Sequence, residues 1–93
     1  MIVACLRVRL HLPDCNSLKH TRFILKSLKD RIRGTFNVAL CESAYQDKWQ
    51  LAELSLVTVA GTVRGADKTL QSIVNFLERD GKAVLLECER EIY

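Results

Sequence analysis

From Ile2 to Leu12 the chain alternates: Ile2, Ala4, Leu6, Val8, Leu10 and Leu12 are apolar, while the positions between them include Arg7, Arg9 and His11. A period of two puts one set on each face of extended backbone, so this stretch predicts a half-buried β-strand. Pro13-Asp14-Cys15-Asn16 has turn chemistry, and Ser17 is placed to cap a helix by accepting a hydrogen bond from an otherwise unpaired backbone N–H. The period then changes. Leu18, Thr21, Leu25, Leu28 and Ile32 recur every three or four residues, the stripe of an amphipathic helix that Gly34 is expected to close. Phe36, Val38 and Leu40 alternate as a second strand, and Ala52, Leu54 and Leu56 as a third, with a loop between them that predicts an antiparallel hairpin. Gly61 to Gly65 interrupts the pattern. Leu70, Ile73, Val74 and Leu77 mark a second helix from about Ala66 to Arg79, which Asp80-Gly81 ends. Val84, Leu86, Cys88 and Ile92 then alternate with Leu85, Glu87, Glu89 and Glu91 as a last strand.

Strand, helix, strand, strand, helix, strand is the order of an α+β ferredoxin-like βαββαβ sandwich: a four-stranded antiparallel sheet with two helices on one face, as right-handed crossovers require. The first strand then lies centrally beside the last, with Arg7 and Arg9 across from Glu87, Glu89 and Glu91, a favourable cross-strand charge pattern. The alternation also sends Val3, Cys5, Ala39, Cys41, Leu51, Val57, Val59 and Leu85 to the face without helices. So many apolar side chains on an open face predict a homodimer, formed through that face or an edge strand.

At 93 residues and 48% hydrophobic content the chain suits one core, and residues 1–93 are expected to form a single domain. The apolar start is interrupted by Arg7 and Arg9, and no stretch approaches the roughly 20 residues of a membrane span, so a cytoplasmic protein with no membrane partner is expected. Cys5, Cys15, Cys41 and Cys88 are scattered without a C-x-x-C pair. That spacing calls for no metal and no disulfide framework, and nothing in the sequence calls for a cofactor.

Charge changes the picture once it is located. Lys19, Arg22, Lys26, Lys29, Arg31 and Arg33 stand against the single Asp30 between Leu18 and Arg33, a local net of +5 in a chain of net +3. On a helix Lys19, Arg22, Lys26, Lys29 and Arg33 fall within an arc of roughly 80° and follow one line for roughly 21 Å. Such a row can neutralise successive phosphates, and it can equally be a solvated face whose long stems cover the edge of the core. Phe23 lies almost opposite the apolar stripe, beside these cations, where it could stack on an unpaired base or make a self-association contact.

The loop before the third strand, Tyr45, Gln46, Asp47, Trp49 and Gln50, concentrates aromatic and polar groups. Alternation sends Trp49 away from the core. Asp47 could act as a general base but has no sequence-local His or second carboxylate to tune it, which leaves a structural corner braced by Asp47 and the glutamines, or a loop for a ligand or partner.

SLKHTR at Ser17 to Arg22, RIRGTFNVAL at Arg31 to Leu40 and YQDKWQLAEL at Tyr45 to Leu54, in that order and spacing, resemble the YlxP-like family of small bacterial proteins, a domain family of unknown function. The resemblance covers nearly the whole chain and implies a ferredoxin-like fold. It also implies a role near RNA or the ribosome, since members often sit in gene clusters for translation initiation and ribosome maturation. The expected function is therefore a small binding protein that contacts ribosomal or other RNA through its basic first helix. The alternative is a dimeric regulatory or structural module without nucleic-acid binding. An enzyme acting at the Asp47–Trp49 loop is the third reading.

Overall fold

The computed structural model describes all 93 residues, Met1–Tyr93, and its first strand follows the alternation directly. In β1 (Ile2–His11) Ala4, Leu6, Val8 and Leu10 are fully buried, with Leu12 just beyond it, while the odd positions face the other way. Ser17 takes an extended backbone, and its hydroxyl accepts from the His20 N–H at 3.1 Å. This cap starts α1 (Leu18–Thr35), which buries Thr21, Leu25, Leu28 and Ile32.

Gly34 does not end α1. The helix runs through it to Thr35 and stops at Phe36, whose backbone is extended (φ −122°) while its N–H still donates to the Ile32 carbonyl. The Phe36 ring meets Phe76 edge-on at 5.9 Å, so aromatic packing directs the exit where a left-handed glycine was expected. β2 (Ala39–Ala44) consequently starts three residues after Phe36, and β3 (Leu51–Ala60) follows. α2 (Val63–Asp80) begins ahead of its apolar stripe because the Thr62 hydroxyl accepts from the Gly65 N–H at 3.0 Å. Gly81 does end α2, at φ 77°. No atom comes within 4 Å of where its Cβ would be, so Gly81→Ala meets backbone strain alone. It is expected to cost about 1 kcal/mol, read as a fall in Tm of about 4–8 °C.

With β4 (Val84–Ile92) the sheet order is β2-β3-β1-β4, every pair antiparallel. The stripes of α1 and α2 join the inward residues of β1 and β3 in one buried apolar cluster, so both helices cover the same face and the fold is ferredoxin-like. Arg7 lies opposite Glu89 and is bonded to it, and Arg9 lies between Glu87 and Glu53, at 2.8 and 3.5 Å. The charge pairing of β1 with β4 is thus present as expected.

The start of β4 is not. A register shift at Arg9/Leu10 puts Leu85 opposite Leu10, packed on the core, and leaves Val84 and Leu86 half exposed. The irregularity adds a residue to one strand and reverses the faces on one side of it.

Candidate functional site

The five cations proposed from the sequence all lie on α1, and the structure divides them. Arg22 and Lys29 turn towards β2, where both meet Glu42. The guanidinium of Arg22 grips the carboxylate with two bonds of 2.9 and 2.7 Å, and Lys29 Nζ adds a third at 2.9 Å. The Glu42 side chain is only 8% exposed. Burial alone would push its carboxyl up, but the hydrogen bonds from Arg22 and Lys29, with their charges, outweigh that and hold it below the usual carboxylate range. Glu42 thus clamps α1 to the edge strand.

The other three cations are freer. Lys26 reaches Asp30 at 3.0 Å across one helical turn, and Arg33 donates to the Leu40 carbonyl at 3.2 Å. Asp30 is held below its ordinary range by the Lys26 hydrogen bond and charge, with smaller help from Arg33 and Lys29. Such exposed pairs are weak and exchange readily. Lys19 is exposed and has no acidic partner. Phe23 stands between Lys19 and Lys26 on the outermost line of the helix, 70% exposed.

Glu42 is the residue that counting charges along α1 overlooks. Its signal is in the sequence all the same: in Leu40, Glu42, Ala44 an acid takes an inward position of the strand, where it needs a cation across the layer.

The loop splits as well. Tyr45 takes a left-handed backbone (φ 64°) and lays its ring against the Arg9 guanidinium at 5.5 Å, on the open face of the sheet. Lys48 N–H donates to the Tyr45 carbonyl at 3.0 Å, closing the turn. Gln46 donates to the Glu42 carbonyl, and Gln50 to the carbonyls of Pro13 and Cys15, which ties this loop to the one before α1. The Thr21 hydroxyl donates to the Trp49 carbonyl. Strand alternation begins only at Leu51, so it does not set the direction of Trp49, whose residue is 54% exposed. Asp47 is exposed and braces nothing. The glutamines perform the corner role expected of them, whereas Asp47 does not.

On the open face, Ser55 donates to Ser43 at 2.8 Å and Ser43 donates to the nearly buried Glu53 at 2.7 Å, next to Arg9. Beside this network lies a shallow groove of about 450 Å³, floored by Cys5, Ala39, Cys41 and Val57 and walled by Arg7 and Glu89. Neither the serine pair nor the role of Glu53 follows from sequence patterning, because the first depends on the register of β2 against β3 and the second on three strands meeting. No helix is long and apolar enough to cross a membrane.

Residues 3–90 match the family described as "Protein of unknown function (DUF503)". The chain is also 34% identical over 65 residues to the uncharacterized protein YlxP of Bacillus subtilis (strain 168), a match covering 70% of this chain and 71% of that relative.

Proposed function

Because the chain belongs to the DUF503 family of proteins of unknown function, its role has to be read from its own surface, and we propose that it is a binding protein that contacts RNA through the outward face of α1. One observation carries this reading: an exposed Phe23 held between Lys19 and Lys26, at helical spacing that keeps the three side chains in line. An aromatic ring offers a stacking surface to an unpaired base of any identity, and flanking cations neutralise the phosphates on either side. A duplex presents no free base to stack, so the surface suits single-stranded or looped RNA.

Glu42 sets the strength. With Arg22 and Lys29 engaged by its carboxylate, Lys19, Lys26 and Arg33 are the cations available to phosphate. Three contacts give a slope of log affinity against log salt of roughly −2 to −3, shallower than five would.

The test is binding of the purified protein to ribosomal subunits and to short single-stranded RNAs across a salt series. Lys19→Glu with Lys26→Glu is the informative double variant, since changing Lys29 would also disturb Glu42. It is expected to lower affinity at least tenfold and flatten the slope by about two. Phe23→Ala is expected to weaken binding by about 1–3 kcal/mol at any salt. Absence of binding at low salt, or binding that ignores both variants, overturns the reading.

A further inference from the structure

We infer that Trp49 is a second seat for an unpaired base, so that an RNA strand bound along α1 crosses the start of the helix with one base on Phe23 and another, turned the other way, on Trp49. This inference rests on the RNA reading above and extends it from the helix to the loop before β3.

Trp49 is exposed but firmly mounted. Its carbonyl accepts from the Thr21 hydroxyl near the start of α1. The next residue, Gln50, takes the Leu12 N–H on its carbonyl at 2.9 Å, and its side-chain amide reaches the carbonyls of Pro13 and Cys15 at 3.4 and 3.2 Å. On the other side the Lys48 N–H closes the turn onto Tyr45. A residue 54% exposed on backbone fixed at both ends needs little further ordering when a ligand covers it, and ordering is a large part of what weakens binding by loose loops.

Helix geometry relates this mount to the cations. With Thr21 as origin and 100° per residue, Arg22 lies at about 100°, Lys26 at about 140°, Lys19 at about 160° and Phe23 at about 200°. Thr21 is directed at the Trp49 carbonyl and Phe23 almost straight away from it, so the row of cations fills the arc between them. Leu18, 39% exposed, lies in the same arc at about 60°. The loop stands on that side of the helix, because Gln46 bonds to the carbonyl of Glu42, the residue that grips Arg22. A strand passing from Phe23 to Trp49 therefore runs over Lys19. Lys48, exposed and next in sequence to the tryptophan, adds a cation at the far end.

The separation sets the kind of ligand. A helix with its side chains is about 10–12 Å across, whereas successive bases in a stack are about 3.4 Å apart. Neighbours stacked on each other cannot reach both seats, so the strand has to be splayed, as the bases of single strands and loops are. Asp14 and Asp47 are exposed in the two loops at this end. Their carboxylates disfavour a phosphate beside them, which suits Trp49 to a base and leaves Lys19 and Lys48 to the phosphates on either side.

Trp49 is the one tryptophan of the chain, so its emission reports this seat alone. Titration of the purified protein with single-stranded oligoadenylate of about eight nucleotides, within the usual range of site sizes, should quench tryptophan emission with the same midpoint as binding followed by anisotropy of labelled RNA. Inorganic polyphosphate, which carries charge without bases, and an RNA duplex of the same length should leave the emission unchanged. Trp49→Leu, which keeps an apolar side chain on the same backbone, should bind the RNA about five- to a hundredfold more weakly with its salt slope unaltered. Absence of binding by both measurements at low salt overturns the RNA reading and this inference together. Binding that needs Phe23, Lys19 and Lys26 but leaves either the emission or the Trp49→Leu affinity unchanged overturns this inference alone. Quenching by polyphosphate or by the duplex equal to that by the single strand does the same, since the signal would then report charge and not a stacked base.

Discussion

Replacing Glu42 by alanine is expected to destabilise the fold by about 2–3 kcal/mol, which for a chain of this size lowers Tm by about 10–20 °C. Two cations, Arg22 and Lys29, converge on one nearly buried carboxylate at the seam between α1 and β2. Removing it strands both. A fully buried pair broken in this way costs about 3–5 kcal/mol, but the Arg22 side chain is 38% exposed and can recover water, which puts the effect below that range. Arg22→Ala should cost a comparable amount, since Lys29 would then face the carboxylate alone.

The same residue makes stability depend on acid. The folded-state carboxyl is held below its ordinary value, so its contribution is complete above the unfolded value of about 4.3. It is lost as pH falls through the lower folded value. Thermal melts of wild type and Glu42→Gln between neutral pH and about pH 3 should therefore converge at the acid end. Parallel curves would show that the clamp carries no electrostatic stability.

Leu54→Ala is expected to cost about 3–5 kcal/mol, the combined loss of transfer energy and the cavity left behind. Leu54 is fully buried on β3, one of the two central strands, with both helices packed on that face. A domain of this length holds roughly 5–14 kcal/mol in total, so the variant gives up about a fifth of its stability at the least. Urea denaturation should show a lower midpoint with an unchanged slope. Leu86→Ala is the control: the side chain is half exposed beside the β1–β4 irregularity and should change stability by no more than about 0.5 kcal/mol. Equal losses at the two positions would mean that the inward and outward assignments of the sheet are wrong.

The fold was legible where the signal is local. Alternation in β1 and the change of period at Ser17 each follow from neighbours along the chain, and each is in the structure; the facing Arg and Glu residues of β1 and β4 follow instead from the strand order those local signals imply. Gly34 misled because a glycine permits a helix end without requiring one, and a distant ring, Phe76, decided where Phe36 went. Leu85 misled because a single irregularity reverses which face a side chain takes.

The candidate site shows the same division. Helical spacing puts Lys19, Phe23 and Lys26 in line from the sequence alone. What occupies Arg22 and Lys29 lies 20 and 13 residues away on another element; the spacing within α1 carries no record of it, and the alternation of β2 marks only an inward acid, not its partners. Tyr45 likewise reads as part of one polar loop, yet its left-handed backbone turns it to the opposite side of the sheet from the loop's contact with Thr21.

The strand order β2-β3-β1-β4 has a consequence for the chain as it is synthesised. β1 leaves the ribosome first, yet both strands that pair with it are made later. Until β3 and then β4 arrive, Ala4, Leu6, Val8 and Leu10 form an apolar ribbon with two unpaired backbone edges, the kind of segment that adheres to other nascent chains. The alternate positions of that ribbon include Arg7, Arg9 and His11. The two arginines that end as partners of glutamates in the finished sheet thus serve earlier as the charges that keep the waiting strand apart from its copies.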